Sequence, residues 1–190
     1  MATPIAVLDA CVLYPAPLRD LFMHLHLADL FQPKWTNEIH EEWIRNVLKN
    51  RPDLKKSQLN RTRQLMDTHS LDCLTDGYQN LIPKVTLPDL NDCHVLAAAI
   101  HSTASLIITF NLKDFPKKYL NPYKINAIHP DDFLVALFLE NMSKFSATLK
   151  KHRLSLKNPP KSINAYIETL EQQKLPKLTK LIKKNTDLLY

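Results

Sequence analysis

Two hydrophobic periods alternate along this chain. The run "IAVLD" (5–9) is continuously apolar up to Asp9 and is bounded by turn signals, which predicts a short buried strand. "YPAP" then breaks the chain and can start a helix, in which Leu18, Leu21, Phe22, Leu25 and Ala28 recur at helical spacing. "FQPKW" fits a short strand. "TNEIHEEWIRNVLKNRPDL" predicts a helix capped by Thr36 or Asn37, with Ile39, Trp43, Ile44, Val47 and Leu48 on its apolar face and Pro52 as its stop. "KKSQLNRTRQLMDTHS" predicts another helix, capped by Ser57, and "LDCLTDGY" a short strand ending at Asp76-Gly77. "LNDCHVLAAAIHSTA" predicts a helix with acids at its start. "SLIITF" and "INAIHP" predict two more strands, separated by the loop "NLKDFPKKYLNPY", and "DDFLVALFLENM" predicts the helix after them. Strands alternating with helices imply an α/β fold with a largely parallel sheet.

From about residue 143 the pattern is helical throughout. Ile163, Tyr166, Ile167 and Leu170 form one apolar stripe. Leu178, Leu181 and Ile182 form another, with Lys177, Lys180 and Lys184 on a different side. The expected division is a body over 1–142 and a basic helical extension over 143–190.

Charge sharpens that division. The 190 residues carry a net charge of +6. Residues 1–143 hold 14 Lys and Arg against 16 Asp and Glu, whereas residues 144–190 hold 11 against 3. A near-neutral body with a basic tail points to a polyanionic partner, or to a solubilising helical surface. A single glycine, Gly77, excludes a P-loop and a G-x-G-x-x-G dinucleotide fingerprint, both of which need several. Three scattered cysteines form neither a disulfide framework nor a zinc-ligand pattern, so a reducing cytoplasm is the expected setting. No apolar run is long enough to span a membrane, and "MATPIAVLDA" lacks the pattern of a signal peptide.

The chemistry gathers in the acids. An ionised carboxylate such as Asp9, directly after a buried strand, is costly unless partnered. In open α/β sheets, ligands bind beyond the carboxyl ends of the strands. Asp9, Asn111 and Asp114 follow predicted strands, Asp89 and Asp92 open a helix, and Glu38, Glu41 and Glu42 ride on another. Singly, each has a structural reading as helix-terminal acid, turn residue or solvated face. Together they would repel one another unless a hard divalent cation sat among them, and Mg²⁺ and Mn²⁺ prefer such oxygen ligands.

Three blocks in order, "VLDACVLYPAPLRD", "DLNDCHVLAAAI" and "IITFNLKDFP", resemble the PIN-domain family, most closely its branch of VapC-type toxins. The resemblance implies an α/β/α sandwich around a parallel sheet and an Mg²⁺- or Mn²⁺-dependent endoribonuclease acting on RNA. It implies a cognate antitoxin protein and a homodimer as partners. It assigns Asp9, Glu42 and Asp92 to the centre, with Asp114 or Asn111 completing it. Thr109 would orient the site, and Asp89 and Glu38 stand as alternatives. Periodicity alone does not separate Glu42 from Glu38. The chain departs from many relatives at Cys11, where Asn is frequent, and at Asn91 and Asn111, where acids are frequent. Arg19, Lys177, Lys180 and Lys184 are the expected RNA contacts, and His94 reads as a helix residue rather than a base. A haloacid-dehalogenase-type phosphatase would need a second Asp at position 11, where Cys stands. A non-catalytic RNA- or protein-binding module of the same fold is the competing class.

Overall fold

A computed structural model describes residues 3–185. Four short strands form one parallel sheet in the order β2-β1-β3-β4: β1 (Ile5–Leu8), β2 (Gln32–Lys34), β3 (Leu106–Ile108) and β4 (Asn126–Ile128). The register pairs Val7 with Lys34 on one side and with Ile107 on the other, and Ile107 with Ala127. β1 is central, so its side chains Ala6, Val7 and Leu8 are buried on both faces. The carboxyl ends of β1 and β3 therefore open side by side at one edge of the sheet.

Helices cover the sheet: α1 (Ala10–Leu13), α2 (Ala16–Leu27), α3 (Asn37–Asn50), α4 (Lys56–His69), α5 (Cys93–His101), α6 (Lys117–Leu120) and α7 (Pro130–Glu140). Three more follow: α8 (Met142–Ser155), α9 (Ile163–Gln172) and α10 (Pro176–Lys184). The expected α/β class and the helical tail are both present. The extension expected over 143–190 is described as far as residue 185.

Three local expectations change. The chain after Asp9 does not run straight to α2, because Ala10–Leu13 first make a helical turn that the apolar run had hidden. Ser57 lies inside α4, whose cap is Lys55, where the Gln58 side chain accepts from the Lys55 N–H at 2.8 Å. The strand expected in "LDCLTDGY" shrinks to one bridge, Trp35 to Leu74. Trp35 N–H donates to the Cys73 carbonyl and accepts through its own carbonyl from Thr75 N–H, and Gly77 at φ +83° then turns the chain away.

α3 is fixed by a chain of side-chain hydrogen bonds. Thr36 caps it, accepting from Ile39 N–H at 3.1 Å. Trp43 Nε1–H donates to His40 Nδ1 at 2.9 Å, so the neutral His40 carries its proton on Nε2 and donates to Asp67 on α4 at 3.0 Å. Burial lowers the His40 pKa and keeps that neutral form. Trp35 Nε1–H donates to the same Asp67 oxygen at 2.8 Å. Glu42 immediately precedes Trp43, so this network sets the height at which its carboxylate leaves the helix.

Candidate metal-binding active site

Asp9 is 4% exposed. It stands at the N-cap of α1, yet its carboxylate makes no cap bond. One oxygen, Oδ2, accepts from the Thr109 hydroxyl at 2.6 Å and from the Cys11 thiol at 3.0 Å. Thr109 comes from the end of β3, so the adjacent strand ends close the contact. The Thr109 oxygen accepts in turn from Asn111 N–H at 2.9 Å, and the Cys11 sulfur accepts from Phe110 N–H at 3.3 Å. Burial and then the Asp9 charge push the Cys11 thiol pKa far up, so it stays protonated and donates. Among the described residues Oδ1 has no hydrogen-bond donor, which leaves that oxygen for a ligand.

Asp92 ends a 3₁₀ turn (Leu90–Asp92) at the start of α5, and its side chain makes no cap bond either. Burial pushes its pKa up to about 7, and the charges of Asp9, Asp89, Asp114 and Glu42 add to the effect. Burial also raises Glu42, with Asp9 and Asp89 adding and Arg45 opposing. Asp9, Asp89 and Asp114 thus act on Asp92, and Asp9 and Asp89 on Glu42, which groups these acids in one electrostatic cluster. Asp114 is half-buried in a second 3₁₀ turn, Leu112–Asp114. Asn111 is exposed at its start, with its backbone committed to Thr109.

The structure separates the two glutamates that periodicity left open. Glu38 accepts from the Tyr78 hydroxyl at 2.9 Å and does not enter the shifts of Asp92 or Glu42. His94 lies between them, with Nδ1 at 3.7 Å from Glu38 and Nε2 at 3.8 Å from Glu42. Burial lowers the His94 pKa, and its Nδ1 has no hydrogen-bond partner among the described residues. Asp89 is exposed and shapes the turn before α5, accepting from the backbone and side chain of Asn91 at 2.9 and 3.0 Å.

The donor set is all oxygen and all of one sign, which fits Mg²⁺ or Mn²⁺. No three of these carboxylates bring oxygens within 4.8 Å of one another among the described residues. Such spacing suits an ion that keeps part of its water shell. Among the described residues, the one group that tight is Asp20, His24 and His152, away from the strand ends. There His152 Nε2 lies 3.0 Å from Asp20, while its Nδ1 lies 2.8 Å from the Tyr166 hydroxyl. Asp20 and His24 are four apart on α2, a spacing that sequence shows, but His152 arrives only through the fold.

The expected RNA contacts divide. Arg19 is corrected: it is 8% exposed, donates to the Leu13 carbonyl at 2.6 Å and stacks 4.4 Å over Trp43, so its guanidinium is committed inside the protein rather than offered to a phosphate. Lys177 pairs with Asp132, while Lys180 and Lys184 are exposed. Lys174, which the helical pattern did not single out, lies in a groove together with Glu42 and Asn111.

Residues 6–113 match the PIN domain, more than half of the chain, and the protein belongs to the PIN-domain family. Residues 130–184 match the VapC50 C-terminal domain, so the tail too has a named counterpart. Among individual proteins, the chain is 51% identical over 59 residues to one of Mycobacterium tuberculosis described as "Putative ribonuclease VapC50". That stretch is 31% of this chain and 34% of the relative, so it spans about a third of the curated protein it matches. No solved structure matches the chain.

Proposed function

We propose that this protein is a divalent-metal-dependent endoribonuclease and the toxin of a toxin–antitoxin pair. The observation that carries the reading is the cluster of Asp9, Glu42, Asp92 and Asp114 at the carboxyl edge of the sheet. Burial, reinforced by the charges of Asp9, Asp89, Asp114 and Glu42, pushes Asp92 up to about 7. The PIN family and the ribonuclease named in the mycobacterial relative support the reading.

Asp9, Glu42 and Asp92 would hold the ion, with Asp114 or Asn111 completing its shell. Bound there, Mg²⁺ or Mn²⁺ supplies an activated water and neutralises charge on the phosphate. Thr109 and Cys11 fix the Asp9 rotamer by loading one oxygen and leaving the other free. His94 stays neutral beside Glu42 and adds no charge that would compete with the ion. The exposed lysines of α10 draw an RNA backbone by screened attraction.

The test pairs single-stranded RNA and DNA of one sequence, each incubated with the purified chain and Mn²⁺ or with EDTA. The expected result is cleavage of RNA that EDTA stops, with DNA left intact. Equal cutting of DNA would make the protein a general nuclease, and no cutting of either would favour a binding module.

A further inference from the structure

A groove of about 480 Å³ runs from Glu42, the member of the acid cluster that lines it, to the end of α9. Glu42 and Asn111 line one part of it, Asn46 and Phe110 its wall, and Gln173 and Lys174 the part contributed by the C-terminal extension. Lys174 follows the C-cap of α9 with φ +61°. Glycine is the usual residue in that left-handed position, because a Cβ is disfavoured there. The same left-handed backbone follows α2 at Asp29 and α5 at Thr103, so it is how helices end in this chain, and what sets Lys174 apart is its place in the groove. Its Nζ sits 5.8 Å from the centre of the Phe110 ring, inside the groove.

The lining has the chemistry of an unpaired nucleotide. An aromatic face stacks any base. Side-chain amides read a base edge because each offers both a donor and an acceptor. Gln173 spends one N–H on the Thr169 carbonyl at 3.1 Å and keeps its own carbonyl oxygen, while Asn46 is half-buried in the wall. Lys174 supplies a positive charge beside a centre that is otherwise acidic.

We propose that this groove seats one unpaired nucleotide of the RNA next to the phosphate that is cut. Its base lies against Phe110, within reach of the Asn46 and Gln173 amides, and Lys174 takes a neighbouring phosphate. The C-terminal extension thereby completes the substrate site. This rests on reading the acid cluster as a nuclease centre.

The test uses the full chain carrying Asp9→Asn, expected to bind without cutting, and a fluorescein-labelled single-stranded RNA followed by anisotropy over a salt series. On that background, Phe110→Leu is expected to weaken binding by about 5- to 150-fold, the loss of one stacked base. Lys174→Gly is expected to weaken binding and to reduce the slope of log K against log salt by about 0.7, one single-strand phosphate contact. The same glycine relieves the left-handed backbone, so its Tm should equal or exceed the parent's. A loss of RNA binding without a loss of stability separates a substrate contact from a structural role. Unchanged affinity and slope in both variants would overturn the proposal, as would a parent that binds no RNA at low salt. Neither result touches metal-dependent cleavage by the unmutated protein, which tests the nuclease reading separately.

Discussion

Asp9 receives two hydrogen bonds on one oxygen, and both donors are protein groups without charge. That arrangement orients the carboxylate without neutralising it. Thr109→Val should therefore keep the fold and lower cleavage by roughly 10- to 100-fold, the usual effect of losing a group that orients a metal ligand. An unchanged rate at saturating Mn²⁺ would contradict this. Asp92 yields a pH prediction for the metal-free protein. Its folded pKa of about 7 lies above the unfolded value of about 3.9, so the protonated form favours folding. Its contribution is complete at low pH, is lost as pH rises from about 4 to about 7, and is level above that. In EDTA, the Tm difference between wild type and Asp92→Asn should open over that interval, with Asp92→Asn the more stable at pH 8. A difference that stays flat from pH 4 to 8 would show that neither burial nor the neighbouring acids raise Asp92. Much of this site was legible in residues alone. An acid after an apolar run and acids around two other elements indicated a carboxylate centre. Arg19 was not legible, because nothing local shows that Leu13 and Trp43 fold over it.

At the scale of elements, periodicity identified the long helices, since their apolar faces meet the core directly. It failed where backbone bonds rather than faces decide. α1 is too short to show a period, and the strand near Leu74 ends after one bridge because Gly77 redirects the chain. It also left out long-range caps. Asp131, 2% exposed on α7, accepts from Lys177 N–H at 2.8 Å and Leu178 N–H at 2.9 Å, so one helix caps the start of another. Asp131→Ala leaves both donors unpaired and should cost about 1–3 kcal/mol, read as a lower urea midpoint at unchanged m. A change below about 0.5 kcal/mol, the size of an ordinary surface substitution, would mean that water replaces the cap.

At the scale of the molecule, the boundary at residue 142 is a change of composition and not a break in packing. Tyr166, Leu170, Leu178 and Ile182 belong to the same buried cluster as Val7 and Ile108. The match to the VapC50 C-terminal domain likewise starts at residue 130, within α7. His152 joins Asp20 on α2 to Tyr166 on α9 across the same seam. The full chain should therefore unfold in one transition by both tryptophan fluorescence, which reports Trp35 and Trp43, and far-UV circular dichroism. Separate midpoints would mark the tail as an independent unit. The tail was legible as helical and basic, but its seat on α2 and α7, and the residues it lends to the groove beside Glu42, depend on contacts between segments far apart in the chain, 132 residues for His152 and Asp20 and 46 for Lys177 and Asp131.

The most direct measurement is the initial rate of cleavage of a mixed single-stranded RNA pool against Mn²⁺ concentration, for the wild type and Asp9→Asn side by side. A saturable, EDTA-sensitive rate is expected for the wild type. For Asp9→Asn, still folded by circular dichroism, the expected rate is lower by at least about 100-fold, on the order of losing one group that stabilises the transition state. Cleavage by Asp9→Asn at the wild-type rate, with the same metal dependence, would contradict the site.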